Sequence, residues 1–281
     1  MISVGLFTVI KVVVSILVVV LLSLIAEWAS PRIAGIVSGY PLGAAISLYF
    51  IGLENGPGFA AHSALFTAAG LAATVAFVGG YLLGIKFAEG RRRFPSLAFS
   101  ILPGIAAYGL VAWMLSFMPI NWVSALLIAI TGMVLAARGF RSIPDVKIHQ
   151  KIRLRFSVTL LRAAFAALVI LAITSAARVV GPRWAGLFSA FPITMLPLLA
   201  IIQFTYQPDH VRTIIKNVPR GLGSLLIYTM VVAASYSGLG IGWGTLLGYL
   251  AATLYLILLE YGMRRKVVTR RIEQRRYDIK S

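Results

Sequence analysis

The 281-residue chain reads as all-α: a polytopic membrane helix bundle of about nine transmembrane helices, built from two inverted-topology repeats. Three observations predict this. First, 59% of the residues are hydrophobic and only 12% charged, with a mean hydropathy of +0.91, which is more apolar side chain than one soluble core could hide. Second, the apolar residues fall in runs of about 20, the length that carries a helix across ~30 Å of hydrocarbon. A membrane barrel would need short alternating segments instead. Third, a motif recurs 151 residues further on. Ser30-Pro31-Arg32-Ile33-Ala34-Gly35-Ile36-Val37-Ser38-Gly39-Tyr40-Pro41 returns as Gly181-Pro182-Arg183-Trp184-Ala185-Gly186-Leu187-Phe188-Ser189-Ala190-Phe191-Pro192. The same offset aligns Thr8 and Lys11 with Thr159 and Arg162, Pro57 with Pro208, and Gly70-Leu71 with Gly221-Leu222. Apolar runs match by chance; prolines, glycines and a charged residue in register mark a duplication.

In chain order, spans are expected near 4–26, 33–53, 60–86, 95–117, 120–138, 158–178, 184–204, 214–236 and 240–261. The first carries Lys11, lacks a basic leader and shows no clear cleavage site before Pro31, so it reads as a span rather than a removable signal. Residues 95–138 would run about 65 Å as one helix, so Met118-Pro119-Ile120-Asn121 divides them. Tyr236-Ser237-Gly238-Leu239-Gly240 separates the last two spans. Residues 1–117 and 158–262 then form the two repeats. Residues 118–157 supply a linking helix and a basic cytoplasmic linker, and 263–281 a basic cytoplasmic tail.

The net charge of +18 is concentrated at Lys86 to Arg93, Arg138 to Arg155 and Arg264 to Lys280, in the gaps between spans and in the tail. That placement marks cytoplasmic loops in contact with anionic lipid, not a nucleic-acid interface. Putting all three inside sets the N-terminus outside and the C-terminus in the cytoplasm, with Arg178 and Arg183 as a small violation on the outer side. Five crossings separate the first helix from its copy, so the second repeat is upside down. One span has no counterpart. The fifth is assigned, although Tyr108 and Trp122 matching Tyr228 and Trp243 would allow an earlier insertion.

Within the motif, Ser30 is a suitable cap before Pro31, and Gly181-Pro182 a weaker one. Gly35, Ser38 and Pro41 lie three apart, as do Gly186, Ser189 and Pro192, placing small residues on one stripe fit for close helix contact. Pro41 cannot donate to the Val37 carbonyl, nor Pro192 to that of Phe188, so each helix should bend or open where lipid offers no partner. Either the freed backbone lines a substrate path, with Tyr40 and Thr194 nearby, or the motif is a kink with a packing face. Lys11 and Arg162 face an interior cavity or snorkel to the interface. Arg32 and Arg183, at the helix mouths, are anion-attracting guards or interface anchors. Glu27, Glu54 and Glu260 sit at span ends, so no carboxylate stands in mid-membrane and a polar or anionic solute is favoured over a cation. No catalytic residue, metal ligand or cofactor is expected. His62, His149 and His210 lack ligand spacing, no nucleophile–base set occurs, and there is no cysteine.

The second half, from about Arg178 to Leu259, resembles the GlpM-like family of small bacterial inner-membrane proteins. The likeness is carried by Trp184-Ala185-Gly186-Leu187-Phe188, Ala190-Phe191-Pro192-Ile193-Thr194 and Val211-Arg212-Thr213-Ile214-Ile215. The resemblance implies one four-span unit per family member, hence a tandem, two-unit version here, in a bacterial cytoplasmic membrane. It implies no catalytic or transport residue. The first half departs from it, with Ala61-His62-Ser63 where the Arg-Thr pair would stand.

The functional expectation is a transporter or permease-like protein for a small polar or anionic solute, with its site between the second and seventh helices. The alternatives are a non-transporting scaffold of envelope polysaccharide or lipid metabolism, or an anion channel; a membrane enzyme fits least.

Overall fold

The computed structural model describes residues 8–14, 16, 17, 20, 36, 39–87, 93–144, 156–205 and 208–278, and among them all regular structure is helical. A helical stretch at 8–14 precedes α1 (Leu42–Asn55), α2 (Pro57–Phe87), α3 (Arg93–Ser116), α4 (Trp122–Gly139), α5 (Phe156–Ser189), α6 (Met195–Thr205) and α7 (Pro208–Asp278). Five segments are long and apolar enough to cross a membrane: Pro57–Phe87, Pro95–Ser116, Trp122–Gly139, Ala163–Ser189 and Asp209–Gly262. This is the build of an integral membrane protein. Its outward faces agree, since Leu102, Leu110, Trp113, Val123, Leu127 and Leu135 on α3 and α4 are all exposed, as are Trp243, Leu250 and Leu254 on α7.

Helix boundaries follow local chemistry. Asn121 closes the turn after α3 and starts α4 with a capping box: its Oδ1 accepts from the Ser124 N–H at 2.9 Å, and its own N–H donates to Ser124 Oγ at 2.8 Å. Three reversals or bends need a single residue each. Gly56 (φ 93°), Gly181 (φ 76°) and Gly240 (φ 80°) all adopt extended, positive-φ backbone that only glycine occupies without strain. Gly240 folds α7 back on itself, so that Tyr236 in the first arm meets Thr245 in the second and Arg220 meets Tyr255. The five-residue separator expected at 236–240 is therefore shorter. Residues 236–239 stay helical because one glycine suffices. The basic tail likewise continues α7 as helix to Asp278. Of the basic linker, residues 140–144 form a turn and 145–155 lie outside the described residues.

Packing centres on α2, which contacts α3, α4, α5 and α7. Phe66, Leu71, Phe77, Val78 and Tyr81 on it are buried, together with Leu48 and Ile51 of α1 and Leu187 and Ile193 of the second half. The linking helix α4 lies against α2 where Gly132 meets Ala72, and is tied to α7 by Lys216 Nζ donating to the Ile143 carbonyl at 2.6 Å.

Candidate functional site

The helices expected at 33–53 and 184–204 are each interrupted at their proline. Ile36 is helical, residues 39–41 are not, and α1 begins at Leu42. The second arm of α5 ends at Ser189, residues 190–194 are irregular, and α6 begins at Met195. The two interruptions share one hydrogen-bond pattern. The N–H groups of Gly39, Leu42 and Ala45 donate to the carbonyls of Ile36, Tyr40 and Pro41 at 3.1, 2.7 and 3.1 Å. Those of Ala190, Ile193 and Leu196 donate to Leu187, Phe191 and Pro192 at 3.1, 2.7 and 2.9 Å. Every donor and acceptor in the first set is matched 151 residues later in the second. The cause is common to both: proline supplies no N–H, so the chain closes a tight two-residue turn before starting a new helix.

Carbonyls at and before the interruptions, two of which (Gly186 and Leu187) share the Ala190 N–H, also accept from hydroxyls of the opposite half. Ser224 on α7 donates to the Gly39 carbonyl at 3.1 Å, and Thr74 on α2 donates to that of Ala190 at 2.7 Å. Tyr108 on α3 donates to the Leu187 carbonyl, and Thr67 to that of Gly186 at 2.9 Å. The Phe188 carbonyl, expected to be left open, accepts from Phe191 N–H at 3.0 Å instead. These donors reach the backbone because glycines let the helices touch. A Cβ on Gly39 would lie 2.8 Å from Gly221 Cα, and one on Gly70 would lie 2.7 Å from Ala190 Cβ. The two contacts are reciprocal, since Gly39 and Ala190, and Gly70 and Gly221, are repeat equivalents.

Between the interruptions lies a cavity of about 30 Å³, room for about two waters. Its walls combine Tyr40, Gly43 and Ala44 of the first half with Ser189, Pro192 and Thr194 of the second, and Thr74 closes one side. The new helices α1 and α6 both start at this cavity. Among the described residues, no backbone carbonyl accepts from the N–H groups of Gly43, Ala44 or Thr194, the donor surplus that every helix start carries. Chemically the cavity offers hydroxyls and N–H donors and no carboxylate.

The site candidates divide accordingly. Ser189 and Pro192 line the cavity, whereas Pro41 is buried beside the lining residue Tyr40. The Ser189 hydroxyl, 1% exposed, bonds back to the Ala185 carbonyl at 2.8 Å. Gly186 is a packing residue: a Cβ there would stand 2.7 Å from Phe66 Cβ. Arg183 is exposed, with Nη1 3.5 Å from the Ser116 carbonyl and its guanidinium 6.0 Å from the Phe66 ring, the position of an anchor at a helix mouth. Lys11 is buried in the bundle. At 3% exposure its Nζ donates to Thr174 Oγ1 at 2.8 Å, forms an ion pair with Glu54, and lies 5.8 Å from the Phe50 ring centre. Glu54, placed by sequence at a span end, thus turns its carboxylate inward. Arg32, Gly35, Ser38 and the Arg162 side chain lie outside the described residues.

Sequence reasoning missed Thr74, Ser224 and Tyr108. The available signal was a hydroxyl one turn beyond each matched glycine, Gly70 and Gly221. It also missed a buried amide clasp. Tyr81 donates to Gln203 Oε1 at 2.7 Å, while Gln203 Nε2 donates to Ser96 Oγ at 3.1 Å and Ser100 Oγ at 2.9 Å, tying α6 to α2 and α3. Comparison with protein families, with curated proteins and with solved structures finds no match for the chain.

Proposed function

We propose that this protein is a transporter or permease-like carrier for a small polar or anionic solute, with its site in the cavity between the two proline interruptions. The observation that carries the proposal is that two discontinuous helices, equivalent by sequence, meet at one cavity through reciprocal contacts. Carriers built from inverted repeats place their sites at such junctions. Inversion is supported by helix directions. Gly186 packs on Ser63 and Ala190 on Gly70, so the second motif runs parallel to α2, whereas α1 turns back from α2 at Gly56. Nine crossings are supported by lengths. The 54 residues from Asp209 to Gly262 would reach about 80 Å unbroken, but Gly240 folds them into two. With 14 and 11 residues, α1 and α6 span only about 21 and 16 Å, so each needs the helix before its interruption to complete a crossing. Crossings completed in this way would put both interruptions inside the hydrocarbon. Two helix starts facing one cavity without a carboxylate favour an anionic or polar group there. The orientation with N-terminus outside, the bacterial cytoplasmic membrane, the anionic-lipid contacts of the basic segments and the tandem GlpM-like origin belong to the same proposal.

A metabolite panel scored by thermal shift would identify a solute, and its flux into proteoliposomes would then be measured for Pro41→Ala, Pro192→Ala and the double variant. Flux should fall at least tenfold in the double variant; flux equal to wild type would refute the site. One observation favours a second reading: the cavity is small and its freed carbonyls are satisfied within the protein, as a non-transporting scaffold would require. A stoichiometric co-purifying partner without any ligand-dependent thermal shift would decide for the scaffold.

A further inference from the structure

We infer that Tyr40 and Phe191 are the two gates of this cavity, each narrowing the path toward one membrane face; the inference rests on the carrier reading above. The two residues are repeat equivalents, each immediately precedes the helix-breaking proline, and both line the cavity. Each ring is held by the opposite half of the protein. Phe191 packs edge-on against Tyr108 at 5.0 Å and against Phe77 at 6.2 Å, and Phe77 continues to Tyr81 at 5.9 Å. Tyr40 packs against Tyr249 at 6.0 Å, which continues to Tyr228 at 5.2 Å, and its hydroxyl pairs with Thr253 at 2.9 Å. Phe77 and Tyr228 are again equivalents.

The two aromatic columns run in opposite directions. From Phe77 to Tyr81 the chain proceeds along α2 toward Phe87. Tyr228 lies beyond the cavity-lining Leu222 and Leu225 along α7, toward Gly240. Ile36 packs on Gly221 and Gly39 accepts from Ser224, one turn farther along α7, and α1, which follows, is antiparallel to α2. The C-terminal ends of α2 and of the first arm of α7 therefore lie at opposite ends of the bundle. In the proposed orientation the Phe191 column blocks the cytoplasmic side and the Tyr40 column the extracytoplasmic side. A residue in an irregular segment between two helix pieces can move its ring by backbone as well as side-chain rotation, without breaking the hydrogen bonds of either helix. The two latches differ chemically: that of Tyr40 includes a hydroxyl pair, whereas the Phe191 ring meets only aromatic rings.

The absence of cysteine from the chain allows a test that needs no known solute. A Thr194→Cys substitution places a thiol on the cavity wall, and a membrane-impermeant maleimide is applied to right-side-out and inside-out vesicles. Labelling should be slow from both sides in the single variant. Adding Tyr40→Ala should raise the rate about tenfold from the extracytoplasmic side only, and adding Phe191→Ala the same from the cytoplasmic side only. Tyr40→Phe and Phe191→Tyr, which keep a ring in place, should stay closed and guard against unfolding as the cause. Label entering by the same face in both alanine variants, by the reversed faces, or by neither overturns the assignment. If solute flux persists with such a result, a carrier remains without these gates; if flux is also absent, the carrier reading falls too.

Discussion

Adding one methyl group at Gly186 should loosen the junction between the two halves. The new Cβ would stand 2.7 Å from Phe66 Cβ and 2.9 Å from the Ser63 carbonyl carbon, neither of which is a flexible side-chain end that can swing aside. Ordinary contact begins near 3.4 Å, so α5 must retreat from α2 by about 1 Å. That retreat takes the Thr67 bond to the Gly186 carbonyl (2.9 Å) and the Thr74 bond to the Ala190 carbonyl (2.7 Å) out of hydrogen-bond range or close to its limit. Interhelical hydrogen bonds in membranes average ~0.6 kcal/mol and reach ~1.7, and overpacking costs a further 1–3, so Gly186→Ala should lose about 2–4 kcal/mol. Equilibrium unfolding in mixed micelles measures this. Gly79→Ala, where a Cβ meets nothing within 4 Å, is the matched control and should be neutral or slightly stabilising. If Gly186→Ala unfolds with the Gly79→Ala protein, the close approach of α5 to α2 is wrong.

Three further outcomes can be read in the same assay. Gly240→Ala also finds open space but forces alanine to a φ of 80°, so it should lose about 1–3 kcal/mol through backbone strain alone. Glu54→Gln removes one charged partner of the buried Lys11 ammonium and should cost about 1–3 kcal/mol, most of it recovered in the double variant with Lys11→Met. A double-mutant cycle that returns no coupling would show that Lys11 finds its compensation elsewhere. Gln203→Leu strands the Tyr81 hydroxyl inside the bundle, while that of Ser100 keeps its bond to the Ser96 carbonyl, and should cost about 1–3 kcal/mol; stability unchanged from wild type would mean water replaces the amide.

What was legible in the chain was what depends on local chemistry. Apolar runs gave the helices, Asn121 its cap, and Pro41 and Pro192 their interruptions, because a missing N–H acts within one turn of its own position. The 151-residue register was legible too, and the backbone hydrogen bonds around the two prolines follow it. Illegible were partners distant along the chain. Glu54 and Lys11 stand 43 positions apart, and neither hydropathy nor spacing says that α1 turns one toward the other. Thr74 and Ser224 look like any hydroxyl in an apolar helix, which most often bonds back to its own preceding turn, as Ser189 does. Both do bond back, Thr74 to Gly70 at 3.3 Å and Ser224 to Gly221 at 2.8 Å, and only the docking of the halves shows that each has a second acceptor across the junction. The separator around Gly240 was placed correctly but drawn too long, because composition marks a region while a single positive φ marks the residue.

Single-residue joints at Gly56, Gly181 and Gly240 leave the adjoining helices no slack: two pieces tethered by one amino acid cannot slide past each other or spread at that end. Whatever displacement this molecule undergoes must therefore be borne by rigid hairpins moving as whole bodies, with their freedom confined to the ends away from those glycines and to the irregular residues beside Pro41 and Pro192. Spin labels placed on the two members of one hairpin should keep their separation while labels on different hairpins change theirs.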